Sequence, residues 1–595
     1  MKTDMKNISI IKKTFFKLLP LQIIVVAVSS INSIIDGVVA TNLLGPVALS
    51  VCGLFLPIIK LIDTVNVTLL SGAQILCGQY VGQNQIKRAK GIFSLDMIVV
   101  VLFGAISSFC CYVLCNQISH FLVNDNELVN SLCEYMKGYA PGIIAYLLVS
   151  QLTAFLQIEN QGKRVYIGMA VAIVANVILN IVFVAKLGLG LFGLGLATSC
   201  SNVIYVIILL LYYFSNKAGI SFSLSSISIK DIITISKIGF PGALAQLSQV
   251  IRGILLNFIM LKYAGTFGIA AFSAVNAFGC LYYATTAGIA NATRVLCSFY
   301  AGEEDKNALQ EVMETAVKNG GMIILMVTAL LMACSGLFTN IFFAADVGIV
   351  YDMTFMGFLI FPLTMPFSCM CTIYVNYYQC RDKLNIANLL SIFDGMIGVI
   401  LFSVLLAPRY SMNGIWAAHV LNGVLCIVII LLYTCIMEKH FPTSVEDTLL
   451  LPDSFGVSFE NRIDVCIKSM EETIELSRRV MDFCSKHQVD KKHASYTGLC
   501  IEEMAGNIIK HGFSDGKSHS IDIRVLIKGS KLLVRIKDDC KMFNPKAMQE
   551  MMSPKDVTKN IGIRLISKLA SNIEYINSFG LNVLTIELSC NSNIA

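Results

Sequence analysis

The chain has 595 residues, of which 55% are hydrophobic and only 14% are charged, and its net charge is +6. This composition excludes a single soluble domain, because soluble domains typically carry about 25% charged residues. We therefore expect most of the chain to lie in a lipid bilayer.

The first part of the chain reads as a series of membrane-spanning helices. We count twelve apolar runs between about Leu18 and Met437, using a criterion of about 20 residues per helical span. The basic segment 1–17 is predicted to be a cytoplasmic extension and not a signal peptide, because no small-residue cleavage site follows the first apolar run.

The distribution of basic residues predicts the orientation of these spans. The basic loops "QNQIKRAKG", "NQGKRVY" and "CRDKLN" fall on the same side if the spans alternate. The positive-inside rule then favours an even number of spans, with both termini in the cytoplasm of a cell-membrane protein. The 20 cysteines lack paired metal spacing, so we expect buried free thiols and neither a disulfide framework nor a zinc site.

The two halves of the membrane part share a repeat with a constant sequence offset. Five pairs keep the same offset: Gly45 and Gly265, Cys77 and Cys297, Tyr80 and Tyr300, Gly82 and Gly302, and Lys163 and Lys383. An even number of spans in each half predicts parallel repeats, with a substrate cavity between two six-helix lobes.

A soluble pattern begins at about residue 455. Two helical stretches precede the alternating runs "HSIDIRVLI" and "KLLVRIKDD", which the short "KGS" joins as a hairpin. A further helix, "IGIRLISKLAS", and two closing strands complete a predicted two-layer α/β domain of about 140 residues. The predicted divisions are 1–17, the lobes 18–220 and 221–437, a linker 438–454, and the α/β domain 455–595.

Several charged residues lie within apolar runs. Asp36 is in the middle of the first span, where a charge costs about 2.5 to 3.5 kcal/mol on insertion scales. It is interpreted as a cavity-facing carboxylate that binds H⁺ or Na⁺, or alternatively as a structural carboxylate held by hydrogen bonds. Lys60 and Asp63, three residues apart, are predicted to form a structural ion pair. Arg252 and Asp394 either pair or line a cavity of the second lobe.

The stretches "SIIDGVVATNLLGPVALSVCGL", "GQYVGQ", "IENQGK" and "GLGLFGLGLATSCSN", together with the repeat, resemble the MATE family of multidrug and toxin extrusion transporters. The similarity covers about residues 10 to 440. It implies twelve helices in two lobes and the export of bulky, often cationic small molecules in exchange for Na⁺ or H⁺.

The resemblance also assigns residues to the ion site. Asp36 matches the family's first-span Asp, Asn180 matches an Asn of the fifth span, and Thr198 matches a small hydroxyl position of the sixth span. Many members have a second Asp at the position of Val184. Asp36 is therefore expected to be the main titrating group of the first lobe, which weakens the case for Na⁺ more than that for H⁺.

The soluble part carries a polar helical face. Glu503, Asn507 and His511 are spaced four apart in "IEEMAGNIIKHGF", which aligns them on one side of a helix. The pattern resembles the N-box of the GHKL ATP-binding fold, in its anti-sigma-factor serine-kinase branch; an ordinary amphipathic helix is the alternative. The resemblance implies that Glu503 polarises the attacking hydroxyl or water, that Asn507 ligates Mg²⁺, and that His511 contributes to the cofactor site.

Two further stretches resemble the nucleotide-binding boxes of that fold. In "VRIKDDCKMFNP", Asp538 matches the Asp that accepts the adenine amino group, and Cys540 replaces the family's glycine. In "KNIGIRLISKLAS", Gly562 matches a phosphate-binding glycine, and Asn560 replaces the preceding one. Because Asn tolerates a left-handed backbone, the loop can still close.

Two functions follow from these features. The first is a secondary active efflux transporter with a cytoplasmic ATP-binding regulatory domain, energised by ion exchange because the sequence contains no GxxxxGK[ST] motif. The second is a membrane-anchored serine kinase or anti-sigma-type signalling protein with a transporter-like sensor. The C-terminal domain is then an ATP-dependent kinase or ATPase with a cytoplasmic protein partner. No nucleic-acid partner is expected.

Overall fold

The computed structural model describes residues 9–123, 125–215, 218–343, 348–515, 519–529, 531–544 and 570–589. It has the predicted fold class, an all-α membrane part followed by an α/β domain. The helices of the membrane part are α1 (Ile10–Leu44), α2 (Pro46–Gly82), α3 (Ile86–Val113), α4 (Cys115–Leu122), α5 (Asn126–Tyr139), α6 (Ile143–Ile158), α7 (Gly162–Asn180), α8 (Gly190–Tyr213), α9 (Asp231–Ala277), α10 (Gly279–Gly302), α11 (Lys306–Glu314), α12 (Gly321–Ala333), α13 (Ser335–Phe342), α14 (Ile349–Ile360), α15 (Thr364–Cys380), α16 (Leu384–Ile392) and α17 (Gly398–Glu438).

Nine helical stretches among the described residues are long and apolar enough to cross a membrane. Two of these contain a break, in α9 at Gly265 (φ 65°) and in α17 at Ser411 (φ 48°). When each break is counted as a turn between spans, α1 is included, and α10 is taken to continue the part of α9 that follows Gly265, the described residues form the twelve predicted spans. π-helical segments continue α7, join α11 to α12 and join α16 to α17 (Ile181–Lys186, Thr315–Gly320 and Phe393–Ile397).

The repeat has a structural counterpart at its first positions. Gly45 (φ 88°) and Gly265 (φ 65°) both form the turn between the first and second spans of their halves. Glycine suits these positions because it adopts positive φ without a steric penalty. Asn84 (φ 62°) and Glu304 (φ 53°), which keep the same offset, have left-handed backbone in the turn after the second span.

The pairing of Lys163 with Lys383 was wrong. The left-handed residues of the corresponding later turns are Asn160 and Asp382, whose separation exceeds the repeat offset by two positions. Gln161, and not Lys163, is therefore the counterpart of Lys383, and both residues precede a helix. The second half has gained two residues between these turns, so the sequence offset no longer marks equivalent positions there.

The lobes pack closely at one end of the bundle. A methyl group added at Gly82 of α2 would lie 2.1 Å from the carbonyl oxygen of Phe299 in α10. One added at Gly302 would lie 2.1 Å from the carbonyl oxygen of Gln79. The Gln79 amide also donates to the carbonyl oxygen of Cys380, 2.9 Å away in the other lobe. Only glycine permits backbones to approach this closely, so α2 and α10 seal the lobes together here.

The C-terminal domain is a two-layer α/β structure, as predicted. Its strands are β1 (Arg462–Ile467), β2 (Ile521–Lys528), β3 (Lys531–Asp538), β4 (Asn572–Ser578) and β5 (Leu581–Ser589), and they form an antiparallel sheet in the order β1-β2-β3-β5-β4. The helices α18 (Met470–Lys486) and α19 (Lys491–Gly512) cover one face of the sheet with a shared apolar cluster. The sequence analysis missed β1, and the predicted helix "IGIRLISKLAS" lies outside the described residues.

The opposite face of the sheet rests on the membrane part. The C-terminal domain contacts Gly82 and Ile158, at the ends of α2 and α6, and the turn 303–305, which lie at one end of the helical bundle that we call the docking end. Among the cysteines that the structure describes, Cys115 and Cys133 depart from the expectation of free thiols, because they form a disulfide with their Cα atoms 5.0 Å apart.

Candidate functional site

Asp36 accepts hydrogen bonds from two other spans. The Asn180 Nδ2 atom, at the end of α7, lies 3.2 Å from Asp36 Oδ1. The Thr198 hydroxyl, in α8, lies 3.2 Å from Asp36 Oδ2. The structure thus brings together the three residues that the family resemblance assigned to the ion site, and each carboxylate oxygen has a neutral donor.

The sequence analysis missed a fourth member of this cluster. Asn176 lies one helical turn before Asn180, and its Oδ1 accepts from Asn180 Nδ2 at 3.0 Å. Its own Nδ2 is 3.5 Å from the Thr198 hydroxyl. The spacing of four residues from Asn180 was the available signal. Asn180 Oδ1 is fully buried and has no hydrogen-bond partner among the described residues, so an acceptor beside the carboxylate is free for an ion.

At the position where many family members have a second Asp, this chain has Val184, which packs in the apolar core of the membrane part. Val184 is buried in the π-helical segment that continues α7. No charged side chain of that segment reaches the Asp36 cluster among the described contacts, so Asp36 is the carboxylate of this site.

A second polar cluster lies in the other lobe. Arg252, Asp394, His419 and Asn422 line a cavity of about 200 Å³. Arg252 Nη1 donates to the main-chain oxygen of Asp394 at 3.3 Å, and Asn422 Nδ2 lies 3.4 Å from Asp394 Oδ1. Both alternatives for Arg252 and Asp394 therefore hold in part, because the two residues are neighbours and both line the cavity.

The predicted ion pair between Lys60 and Asp63 is absent from the described residues. Asp63 instead accepts hydrogen bonds from Asn66 Nδ2 and from the Tyr146 hydroxyl, each at 3.3 Å. These neutral donors come from within the first lobe, whereas Lys60 is exposed on the surface of α2.

The N-box residues lie along α19 at the edge of the C-terminal domain. Glu503 and Asn507 are half-buried, and His511 is exposed near the end of the helix. Their spacing places them on one face. The buried residues between them, including Met504 and Ala505, anchor the other face of α19 in the apolar cluster. Glu503 and Asn507 are thereby held at a fixed distance from the sheet.

Asp538, the last residue of β3, is buried and hydrogen-bonded within the domain. The Asn582 amide and the Cys540 main-chain N–H both donate to its Oδ1, at 2.8 and 3.0 Å. The Asn582 oxygen accepts from the Tyr575 hydroxyl at 2.6 Å, which turns its amide group towards Asp538. Burial raises the pKa of the Asp538 carboxyl above its ordinary value, although the hydrogen bonds from Asn582 and Cys540 oppose this. Sequence reasoning had not singled out Asn582.

Cys540 fits its position without the backbone freedom of glycine. Its φ is not positive, and its thiol packs against Gly512 at the end of α19, where an added methyl group would lie 2.9 Å from the sulfur. A glycine on the helix thus makes room for the cysteine on the loop. Asn560 and Gly562, predicted for the phosphate loop, lie outside the described residues.

Comparisons with known proteins agree with this division of the chain. The MatE family model matches residues 22–185 and 241–405, and the histidine kinase-like ATPase domain model matches residues 468–588. The chain is 25% identical over 256 residues to the multidrug export protein MepA of Staphylococcus saprophyticus, covering 41% of this chain and 55% of that protein. It is 29% identical over 175 residues to Protein DETOXIFICATION 17 of Arabidopsis thaliana, covering 29% and 37%.

Solved structures share the fold of the membrane part. One described as the outward-facing conformation of a multidrug resistance MATE family transporter has a TM-score of 0.66 at 20% identity, covering 70% of this chain and 94% of that one. A MATE in the straight conformation also has a TM-score of 0.66 at 20% identity, with 70% and 94% covered. The chain spans about half or less of the two curated relatives, but the MatE model alone matches more than half of this chain. The chain belongs to the MatE family, and a histidine kinase-like ATPase domain follows its membrane part.

Proposed function

We propose that the protein is a secondary active efflux transporter of the cell membrane, which exports drug-like or cationic small molecules in exchange for H⁺ or Na⁺. The observation that carries this proposal is the Asp36 cluster. A single carboxylate, bound by Asn180 and Thr198 from two other spans, lies beside a buried oxygen of Asn180 that has no described partner. Intramembrane carboxylates of this kind mark ion pathways.

The docking end is proposed to face the cytoplasm. Lys87, Arg88, Lys163 and Arg164 lie at or next to its turns, as the positive-inside rule requires of a cytoplasmic side. Because the C-terminal domain rests on the same end, this orientation also gives it access to cytoplasmic ATP.

The test of coupling is efflux of a fluorescent cation from vesicles with an imposed proton or Na⁺ gradient. Asp36→Asn keeps the shape of the side chain but removes the ionisable group, so we expect gradient-driven efflux to be abolished. Asp63→Asn is the matched control, because this second intramembrane carboxylate lies outside the Asp36 cluster, and we expect it to retain efflux. Normal efflux by Asp36→Asn would exclude Asp36 as the coupling group.

The C-terminal domain is proposed to bind Mg·ATP and to regulate transport. Asp538 would accept the adenine amino group, Asn507 would ligate Mg²⁺, and Glu503 would orient a hydroxyl or water. The support is the match to a histidine kinase-like ATPase domain, together with a buried Asp538 carboxylate that Asn582 and Cys540 hold by hydrogen bonds at the end of β3. Mg²⁺ prefers the oxygen ligands that an Asn side chain and phosphates supply.

A further inference from the structure

The sheet of the C-terminal domain buries charged residues on the face that its own helices leave uncovered. Arg524 of β2 and Arg535 and Lys537 of β3 are 5%, 9% and 6% exposed. Lys and Arg are almost never buried this completely unless they are paired. This face is therefore an interaction surface with a specific partner.

The partner is an acidic turn of the second lobe, directly after α10. Lys537 Nζ and Arg535 Nη1 both contact the Glu303 carboxylate, the latter at 3.4 Å. Arg524 Nη1 lies 3.0 Å from Asp305 Oδ2. Although burial alone would raise it, the pKa of Asp305 lies below its ordinary value because Arg524 and Lys537 stabilise the ionised form.

The same surface also contacts the first lobe. Arg535 uses its other terminal nitrogen, Nη2, to contact the main-chain oxygen of Gly82 at the end of α2, 3.4 Å away. Beyond β3, Asp539 lies 3.3 Å from Lys13 Nζ of α1. A single side chain, Arg535, thus joins α2 of one lobe to the turn after α10 of the other.

The β4–β5 hairpin provides a second bridge between the lobes. Phe579 at its tip is 1% exposed. Its main-chain N–H donates to the Ile158 oxygen of the first lobe at 3.0 Å, and its ring lies 5.6 Å from that of Phe299 in the second lobe. Phe579 has a φ of 57°, a strained value for a bulky residue, which persists only where the surroundings determine the conformation.

These bridges lie over the end at which the lobes are sealed. At Gly82 and Gly302 the backbones of the two lobes are in contact, whereas at Gly45 and Gly265 an added methyl group would have no neighbour within 4 Å. Transporters built from repeats alternate access largely by rocking one bundle against the other. Opening the docking end would separate Gly82 from Glu303. Arg535 contacts both residues and therefore opposes that separation.

We propose that the C-terminal domain is a conformational lock whose sheet surface clamps the two lobes shut at the docking end. The inference rests on the proposed transport function for its purpose, because a lock matters only if the docking end must open. The docked domain stabilises the state that is closed at this end, and undocking permits the opposite state.

The lock is tested on the full-length protein in detergent by hydrogen–deuterium exchange. The disrupting variant is Arg535→Glu with Lys537→Glu, which places two carboxylates against Glu303. We expect faster exchange at 521–538, which reports undocking, and at least a several-fold rise at 72–79 of α2. Gly72 and Gly78 in this stretch contact the other lobe, and no described contact joins 72–79 to the C-terminal domain.

Two controls separate loss of the clamp from misfolding. Lys528→Glu, on the same β2–β3 hairpin, breaks only an exposed pair with Glu304 and is expected to leave exchange at 72–79 unchanged. Lys537→Glu combined with Glu303→Lys reverses one pair but leaves Arg535 beside the new lysine, so it is expected to restore part of the protection that Lys537→Glu alone loses. Faster exchange at 521–538 without a change at 72–79 would overturn the lock, as would protection at 521–538 that survives the double variant. Exchange does not depend on transport, so an inactive transporter would refute the proposed function and leave the lock standing.

Discussion

Asp538 lies at the end of β3, and its Oδ1 accepts two hydrogen bonds from within the domain. Both the Asn582 amide and the Cys540 N–H donate to Oδ1, and we therefore propose Oδ2 as the oxygen that accepts from an adenine amino group. A carboxylate suits this position because it can only accept hydrogen bonds. Its two internal partners and the proposed adenine amino group all donate them. Because Oδ1 is hydrogen-bonded within the domain and Oδ2 is proposed to bind the ligand, we expect a substitution at Asp538 to weaken nucleotide binding without unfolding the domain.

Asp538→Asn is therefore expected to weaken Mg·ATP binding while the domain stays folded. The Asn oxygen can accept both internal hydrogen bonds, but its NH₂ group replaces Oδ2 and opposes the adenine amino group. Losing a hydrogen bond and leaving a donor unpaired costs about 1 to 3 kcal/mol, or roughly a ten- to hundredfold rise in Kd. Calorimetry on the full-length protein measures this, with exposed Asp482→Asn in α18 as the control. An unchanged Kd in Asp538→Asn would show that Asp538 does not contact the nucleotide.

At the scale of elements, α19 presents Glu503 and Asn507 from one rigid helix with distinct proposed roles. Removing a general base typically costs about 10² to 10⁴ in rate and leaves ground-state contacts intact. Glu503→Gln is expected to bind Mg·ATP normally and to lose hydrolysis or phosphotransfer. The neighbouring Glu502→Gln, on a different side of the helix, should behave as wild type. A Glu503→Gln protein that still hydrolyses ATP at the wild-type rate would remove Glu503 from the chemistry.

Two glycines of α2 are expected to respond to alanine with opposite signs. At Gly82 the added methyl group meets the Phe299 carbonyl at 2.1 Å, whereas at Gly53 it meets nothing within 4 Å. Overpacking costs about 1 to 3 kcal/mol, while Gly→Ala in an open helix interior gains about 0.5 to 1 kcal/mol. Gly82→Ala should lower the melting temperature in detergent, and Gly53→Ala should raise or preserve it. Equal shifts in the two variants would contradict close interlobe packing at Gly82.

The sequence predicted those features of the elements that depend on local pattern. Hydropathy identified the spans, the constant repeat offset identified the matched turns at Gly45 and Gly265, and alternation identified β2 and β3. Alternation does not show, however, that another part of the chain covers the polar face of the sheet. Arg524 and Arg535 are buried by turns that lie far earlier in the chain, at Asp305 and Glu303, and no periodicity within a strand encodes that contact.

Prediction of the two functional sites from the sequence meets the same limit, because contacts between distant parts of the chain are not encoded in local pattern. Family resemblance brought Asp36, Asn180 and Thr198 together as a set, because each lies in a recognisable span. Asn582 was missed because a lone amide carries no signal until its partner's position is known, whereas the spacing of four residues from Asn180 could have indicated Asn176. Lys60 and Asp63 were paired on spacing alone, whereas tertiary packing gives Asp63 the Tyr146 hydroxyl instead.

At the scale of the whole molecule, the described residues form two separate apolar cores. One fills the membrane part and includes the tip of the β4–β5 hairpin, whereas the other lies between the sheet and the helices α18 and α19. Most of the docking contacts between them are polar. Residues such as Arg535 are consequently covered by both units, whereas the core between the sheet and its helices is formed by the C-terminal domain alone.

The two cores are expected to unfold separately, and the only tryptophan distinguishes them. Trp416 is fully buried in the second lobe, and its ring stacks on Phe272 at 5.5 Å. Urea should unfold the C-terminal domain first, because the backbone hydrogen bonds of lipid-embedded helices have no water to replace them. Circular dichroism should therefore show a transition during which Trp416 emission stays constant.

Mg·ATP should shift only the first of the two urea transitions, the unfolding of the C-terminal domain. A ligand at 100 times its Kd stabilises the state that binds it by about 2.7 kcal/mol, and only the C-terminal domain carries the proposed site. Asp538→Asn, with weakened binding, should show a shift reduced by about half or more at the same ATP concentration and so serves as the control. If ATP also moved the change in Trp416 emission, or if the two transitions coincided, the domains would form one cooperative unit. Unfolding the C-terminal domain would then be inseparable from unfolding the membrane part.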